Sequence, residues 1–246
     1  MKKTIYSSFV NLLFLFSTTI VMAQTHWEYA GENGPDHWAQ LTADFSLCGN
    51  GKNQSPINLS HMVDSNLTPI QFNYTGSAQE IVNNGHTVQV NYQPGSSITI
   101  DNHIFELKQF HFHAPSENHI DGVTFPMEAH LVHADAQGNL AVIAVMFELG
   151  GFNTMLDSLW QKMPATVGAK KPLLSAINVM NLLPENKEYF RFNGSLTTPP
   201  CTEGVEWLVM KHPVKITQSQ VSAFQQVMGH ANNRPIQQVF ARPILK

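Results

Sequence analysis

Alternation with a period of two runs through much of the chain. In "HTVQVNY" (86–92) and "SITI" (97–100), β-branched and aromatic residues alternate with polar ones between "NNG" and "QPG" turns, which predicts two strands. Strands are also predicted over 105–113 and 127–135. "LAVIAVMFEL" (140–149) is a nearly continuous apolar run after "QGN", the pattern of a strand buried on both faces. Helical spacing predicts helices in two places. Phe152, Met155, Leu156, Leu159, Trp160 and Met163 recur at that spacing over 152–163, and Val221, Phe224 and Met228 do so over 217–229, with Gly229 as terminator. These methionines and aromatics read as core. The prediction is a mainly β domain with short peripheral helices, whose strand order local patterns do not supply.

The first residues break this pattern. Lys2 and Lys3 precede a short apolar stretch, Phe9–Phe16, and Val21-Met22-Ala23 has the small residues of a cleavage site. That is the layout of a signal peptide over 1–23. Asn11, Ser17, Thr18 and Thr19 interrupt the apolar run, which falls short of the roughly 20 residues a bilayer span requires. The expectation is an exported, periplasmic or secreted protein with no membrane span after cleavage. Residues 24–246, without a linker, charge block or repeat, are expected to form one domain. Without Lys2 and Lys3, 12 basic side chains face 18 acidic ones, which argues against nucleic acid as a partner. Two cysteines in an exported chain, Cys48 and Cys201, read as one disulfide.

The candidate chemistry lies in two strands. In "QFHFH", the period of two places Gln109, His111 and His113 on one face, with Phe110 and Phe112 on the other. In "MEAHLVHAD", Glu128, His130 and Val132 share a face and His133 points away. A polar acceptor thus lies two residues before a histidine in each strand. Metal-bound imidazoles need such acceptors, because the second ring nitrogen must hold its proton in a fixed direction. Three neutral imidazoles and an open fourth position describe a catalytic zinc site. Surface or structural histidines can show the same pattern, and the two segments alone leave both readings open.

Further along the chain, "NGPDHW" (33–38), "KNQSPINL" (52–59), "NNGH" (83–86), "FHFH" (110–113), "EAHLVH" (128–133), "GSLTTPP" (194–200) and "NNRP" (232–235) occur in order. Together they resemble the signature blocks of the alpha-class carbonic anhydrases, and with the cysteine pair they resemble the bacterial exported branch. The resemblance covers nearly the whole chain after the signal segment. It implies a single domain around a large, mostly antiparallel, twisted central β-sheet.

The same resemblance implies one Zn2+ per chain on His111, His113 and His130, with Gln109, Glu128 and the Asn232 backbone carbonyl as their supports. Thr197 would accept a hydrogen bond from zinc hydroxide and donate its own to Glu117, with Thr198 beside the substrate. His86 would relay the proton. Val132, Val142, Leu196, Val205 and Trp207 would form the apolar wall for carbon dioxide. The implied reaction is reversible hydration of carbon dioxide to bicarbonate and a proton. Anions or sulfonamides would be inhibitors at the metal, and the family leaves a homodimer open. The family's usual histidine after the glutamate is Asn118 here, a departure expected to affect stability more than chemistry. Two rival readings use the same scaffold: a catalytically silent binding module, which usually lacks a zinc histidine, and a zinc esterase.

Overall fold

The computed structural model describes residues 25–173 and 177–246, so the expected signal segment lies outside the described residues. Among those residues the strands are β1 (Asn58–Leu59), β2 (Gln71–Asn73), β3 (Ala78–Asn83), β4 (Val88–Tyr92), β5 (Ser97–Ile100), β6 (His103–His113) and β7 (His119–Ile120). They continue with β8 (Met127–Ala134), β9 (Leu140–Leu149), β10 (Lys170–Pro172), β11 (Tyr189–Ser195), β12 (Glu203–Met210) and β13 (Val214–Ile216). Four short helices accompany them: α1 (Trp38–Leu41), α2 (Leu47–Asn50), α3 (Thr154–Trp160) and α4 (Gln218–Met228).

The patterned stretches fold as their spacing predicts, with shifted ends. The strand read from residue 86 begins at Val88, because Asn84 Oδ1 accepts the backbone N–H groups of His86 and Thr87 and holds both in a turn. The helix read over 152–163 shortens to α3, started by Asn153, whose Oδ1 accepts the Leu156 N–H; Phe152 is left exposed. At α4, Thr217 and Gln220 form a capping box and Gly229 closes the helix in the left-handed region, at φ 72°.

Among the described residues the main sheet has 11 strands, ordered β10-β3-β4-β6-β8-β9-β12-β11, with β5 also on β6, β2 on β5 and β13 on β9. Most pairs are antiparallel, while β9 meets β12 and β13 in parallel. The sheet sorts its side chains by parity. Phe110, Phe112, Leu131, Ile143, Val145, Phe147 and Leu208 enter the larger core, together with Leu156 and Leu159 of α3 and Val221 and Phe224 of α4. The opposite face carries a smaller cluster with Val142, Ala144, Met146, Val205, Trp207 and Val209, and His130 lies against it. Strand β9 serves both faces, which is why its sequence shows no alternation.

Cys48 and Cys201 form the disulfide, with Cα atoms 5.1 Å apart, and no cysteine is free. The bridge packs with Trp27 and Trp38 in a third cluster. Among the described residues no helix is long and apolar enough to cross a membrane.

Candidate metal centre

Strand pairing brings the three histidines together. β6 and β8 are antiparallel neighbours in which His111 stands opposite His130 and His113 opposite Glu128. Laterally paired residues point to the same face, so His111, His113 and His130 converge on the side of the smaller cluster. One candidate ligand atom from each lies within 4.8 Å of the other two.

Each ring has one nitrogen engaged by the protein. His111 Nδ1 meets Gln109 Oε1 at 2.8 Å, His113 Nδ1 meets the Asn232 carbonyl at 2.6 Å, and His130 Nε2 meets Glu128 Oε1 at 2.8 Å. All three acceptors compel the facing nitrogen to donate. The lone pairs left over are those of His111 Nε2, His113 Nε2 and His130 Nδ1. Burial pushes all three imidazoles below the ordinary histidine range, and neighbouring histidines lower His111 and His130 further. They are therefore neutral near pH 7, the form a metal requires.

The orphaned atoms at this point fit a cation. His113 Nε2 is buried without a hydrogen-bond partner, and so is Glu117 Oε2, 3.5 Å away. His130 Nδ1 lies 3.9 Å from the same carboxyl oxygen. Unpartnered buried polar atoms cost free energy, and a cation held by three nitrogen donors removes that cost. Three neutral imidazoles with an open side suit zinc among the common metals.

Glu117 and the candidate wall residues surround this point. Glu117 is fully buried, and its Oε1 accepts the Arg234 backbone N–H at 2.8 Å. Burial lifts its pKa to about 8 against opposing pulls from that N–H and the nearby Thr197 hydroxyl. Val142, Val205 and Trp207 are buried in the smaller cluster, with Val132 and Leu196 packed against it. The Trp207 ring lies edge-on to His130, 4.8 Å between centroids. A cavity of about 140 Å³ is lined by His111, His113, Gln109, Thr198 and His86 among others, so the candidate relay shares a space with the candidate ligands.

Three further residues have no signal in the local pattern. Trp27 stacks on His86, with centroids 3.7 Å apart and planes 10° from parallel. Tyr29 lines the same cavity and feels the charge of Glu117. Arg234, 1% exposed, donates to Gln54 Oε1 and to the carbonyls of Ser55 and Cys48, which ties the disulfide's neighbourhood to Glu117. "NNRP" is one of the blocks that carry the resemblance, but only the fold shows what its arginine touches.

Residues 33–246 match the model of the eukaryotic-type carbonic anhydrase family. The chain is 50% identical to a carbonic anhydrase of Pectobacterium carotovorum over 220 residues, covering 89% of this chain and 90% of that protein. It is 47% identical to one of Neisseria gonorrhoeae over 232 residues, covering 94% and 92%. Among solved structures it is similar to the alpha-carbonic anhydrase of Thermovibrio ammonificans in complex with sulfanilamide, at TM-score 0.89 and 45% identity, covering 91% of this chain and all of that one.

Proposed function

The chain belongs to the alpha-class carbonic anhydrase family, and from that premise we propose that it hydrates carbon dioxide reversibly on one zinc ion held by His111, His113 and His130. The observation that carries this reading is the convergence of three neutral imidazoles, each with its second nitrogen already engaged. Bound zinc supplies a Lewis acid that makes water nucleophilic near neutral pH, an effect for which carbonic anhydrase is itself the reference case.

The protein's share of the work is positional. Thr197 has one hydroxyl proton, and Glu117 beside it accepts a hydrogen bond through that proton. The threonine oxygen is then left as an acceptor, which orients the attacking water's remaining proton and aims a lone pair at the substrate. The positive charge of an ion on the nearby imidazoles opposes the burial of Glu117 and favours its carboxylate form. Val132, Val142, Leu196, Val205 and Trp207 offer carbon dioxide an apolar surface beside His130, with Thr198 at its edge. His86, whose burial lowers its pKa from the ordinary value, takes the released proton and passes it to buffer.

The disulfide supports a further proposal, that residues 1–23 are an export signal and that 24–246 work as one domain in an oxidising compartment. Stopped-flow hydration of carbon dioxide, before and after chelation, tests the central reading. One zinc per chain, activity lost with the metal and regained on its return are the expected results. Full activity in metal-free protein would overturn it. The relative crystallised with sulfanilamide makes a sulfonamide the inhibitor to try, with binding expected only in the zinc-loaded form.

A further inference from the structure

We propose that Asn118 is a positioning residue of the metal centre, fixing Glu128 and through it His130, so that its side-chain amide contributes to metal retention. The inference rests on the reading of His111, His113 and His130 as metal ligands. It assigns Asn118 a role in the chemistry, where the sequence suggested mainly stability.

Four donors converge on the buried Glu128 carboxylate, and Asn118 supplies two of them. Its Nδ2 donates to Oε1 at 2.8 Å, and its backbone N–H donates to Oε2 at 2.8 Å. The Glu117 backbone N–H donates to Oε2 at 2.7 Å, and His130 Nε2 completes the set at Oε1. Oε1 is therefore shared between the candidate ligand and the asparagine amide. The three amide N–H groups can only donate and so favour the ionised carboxylate, which leaves His130 to present Nε2–H to Oε1 and Nδ1 to a metal.

The amide cannot turn round. The Ile57 backbone N–H donates to Asn118 Oδ1 at 3.1 Å, so a flip would set an N–H against an N–H and a carbonyl against a carboxylate. Ser116 Oγ holds the Asn118 carbonyl at 2.9 Å, which fixes the backbone as well. Both Asn118 and Glu128 are 0% exposed, so no water competes for these bonds. A line of contacts thus runs from the Ile57 backbone through one amide and one carboxylate to His130.

Three variants separate this role from packing. Asn118→Asp keeps the shape and replaces the donor with an acceptor. Asn118→Ala removes the side chain and keeps the backbone bond, whereas Asn118→His restores a ring N–H. The measurement is zinc dissociation into excess chelator from folded, zinc-loaded protein. Asn118→Ala is expected to release zinc about 10-fold faster, the low end for removing a ligand's hydrogen-bonding support, Asn118→Asp faster still, and Asn118→His more slowly than either. A packing role predicts the reverse order for Asp and Ala. In metal-free protein, nitrogen-15 NMR of the His130 ring should show the single Nε2–H tautomer in the natural sequence and a mixture in Asn118→Asp. Zinc release within about twofold of the natural rate in both Ala and Asp variants would overturn the inference. If Asn118→Asp does not fold, the Ala and His variants decide, and equal rates for those two would overturn it. Failure of the natural protein to hold zinc would instead defeat the proposed function, and the metal-free tautomer comparison would still judge Asn118.

Discussion

His86 lies flat on Trp27, and this contact defines how the proposed relay histidine is held without being locked. Its Nδ1 is buried without a partner, while Asn84 and Asn232 bond only its backbone. His86→Ala is expected to lower turnover in weak buffer and spare the carbon dioxide conversion step. Added imidazole should restore part of the loss; unchanged turnover would remove His86 from the relay. For the proposed ligands, His130→Ala should abolish zinc binding and hydration together, as metal analysis and stopped flow would report. Glu128→Gln should weaken zinc binding by about 10–100-fold, since the amide is a poorer acceptor for His130. Much of this centre is legible in the sequence, because a strand's period of two converts "QFHFH" and "EAH" directly into shared faces. Trp27, Tyr29 and Arg234 were not legible as site residues. Trp27 and Tyr29 reach the cavity from the N-terminal segment, and Arg234 arrives through a loop far along the chain, where local spacing carries no information about distance.

At the level of elements, strand type was readable and strand order was not. Alternation marks which residues face the core, but the adjacency of β9 and β12 depends on a long crossover connection that leaves no periodic trace. The ends of elements moved for local reasons, such as the Asn84 turn before β4. Two elements lend themselves to test. In β11, a Cβ added at Gly194 would come within 2.1 Å of Ser55 Oγ and 2.8 Å of the Trp207 ring. Gly194→Ala should therefore destabilise the fold by about 1–3 kcal/mol, the usual cost of overpacking, and reduce activity by displacing the "SLTTPP" segment. Denaturant unfolding and hydration assays would check both effects, and a neutral result would show that β11 shifts freely. At α4, Thr217→Ala removes the capping oxygen and should cost about 1 kcal/mol with little effect on hydration.

At the scale of the molecule, two buried features link stability to solution conditions. His133 faces away from the candidate metal centre, is fully buried and meets Tyr74 Oη at 2.8 Å. Burial lowers its pKa to about 3, against smaller opposing effects from the backbone of Ala141 and Leu131. The unfolded chain protonates this histidine near pH 6.5 and the folded one does not, so its contribution is full above that value and is lost progressively down to about 3. Between pH 7 and 5 the loss should be about 2 kcal/mol, and His133→Gln should remove that part of the slope in urea unfolding. Equal slopes for the two proteins would show that His133 is protonated in the fold. The disulfide closes a sequence separation of 153 residues, which in the chain-entropy model stabilises by up to about 5 kcal/mol. Reduction should lower the melting temperature and also slow hydration below the transition, because Cys201 adjoins the Thr197 loop through its N–H bond to the Thr198 carbonyl.

The same bridge has a consequence for how a cell makes this protein. Cys48 emerges early in synthesis and Cys201 only after nearly all the strands have been made, and there is no third thiol with which either could pair wrongly. Four cysteines would allow three pairings; two allow one. Such a chain needs an oxidant but has no internal mispairing for an isomerase to correct, so its production should depend on thiol oxidation and be indifferent to disulfide isomerisation.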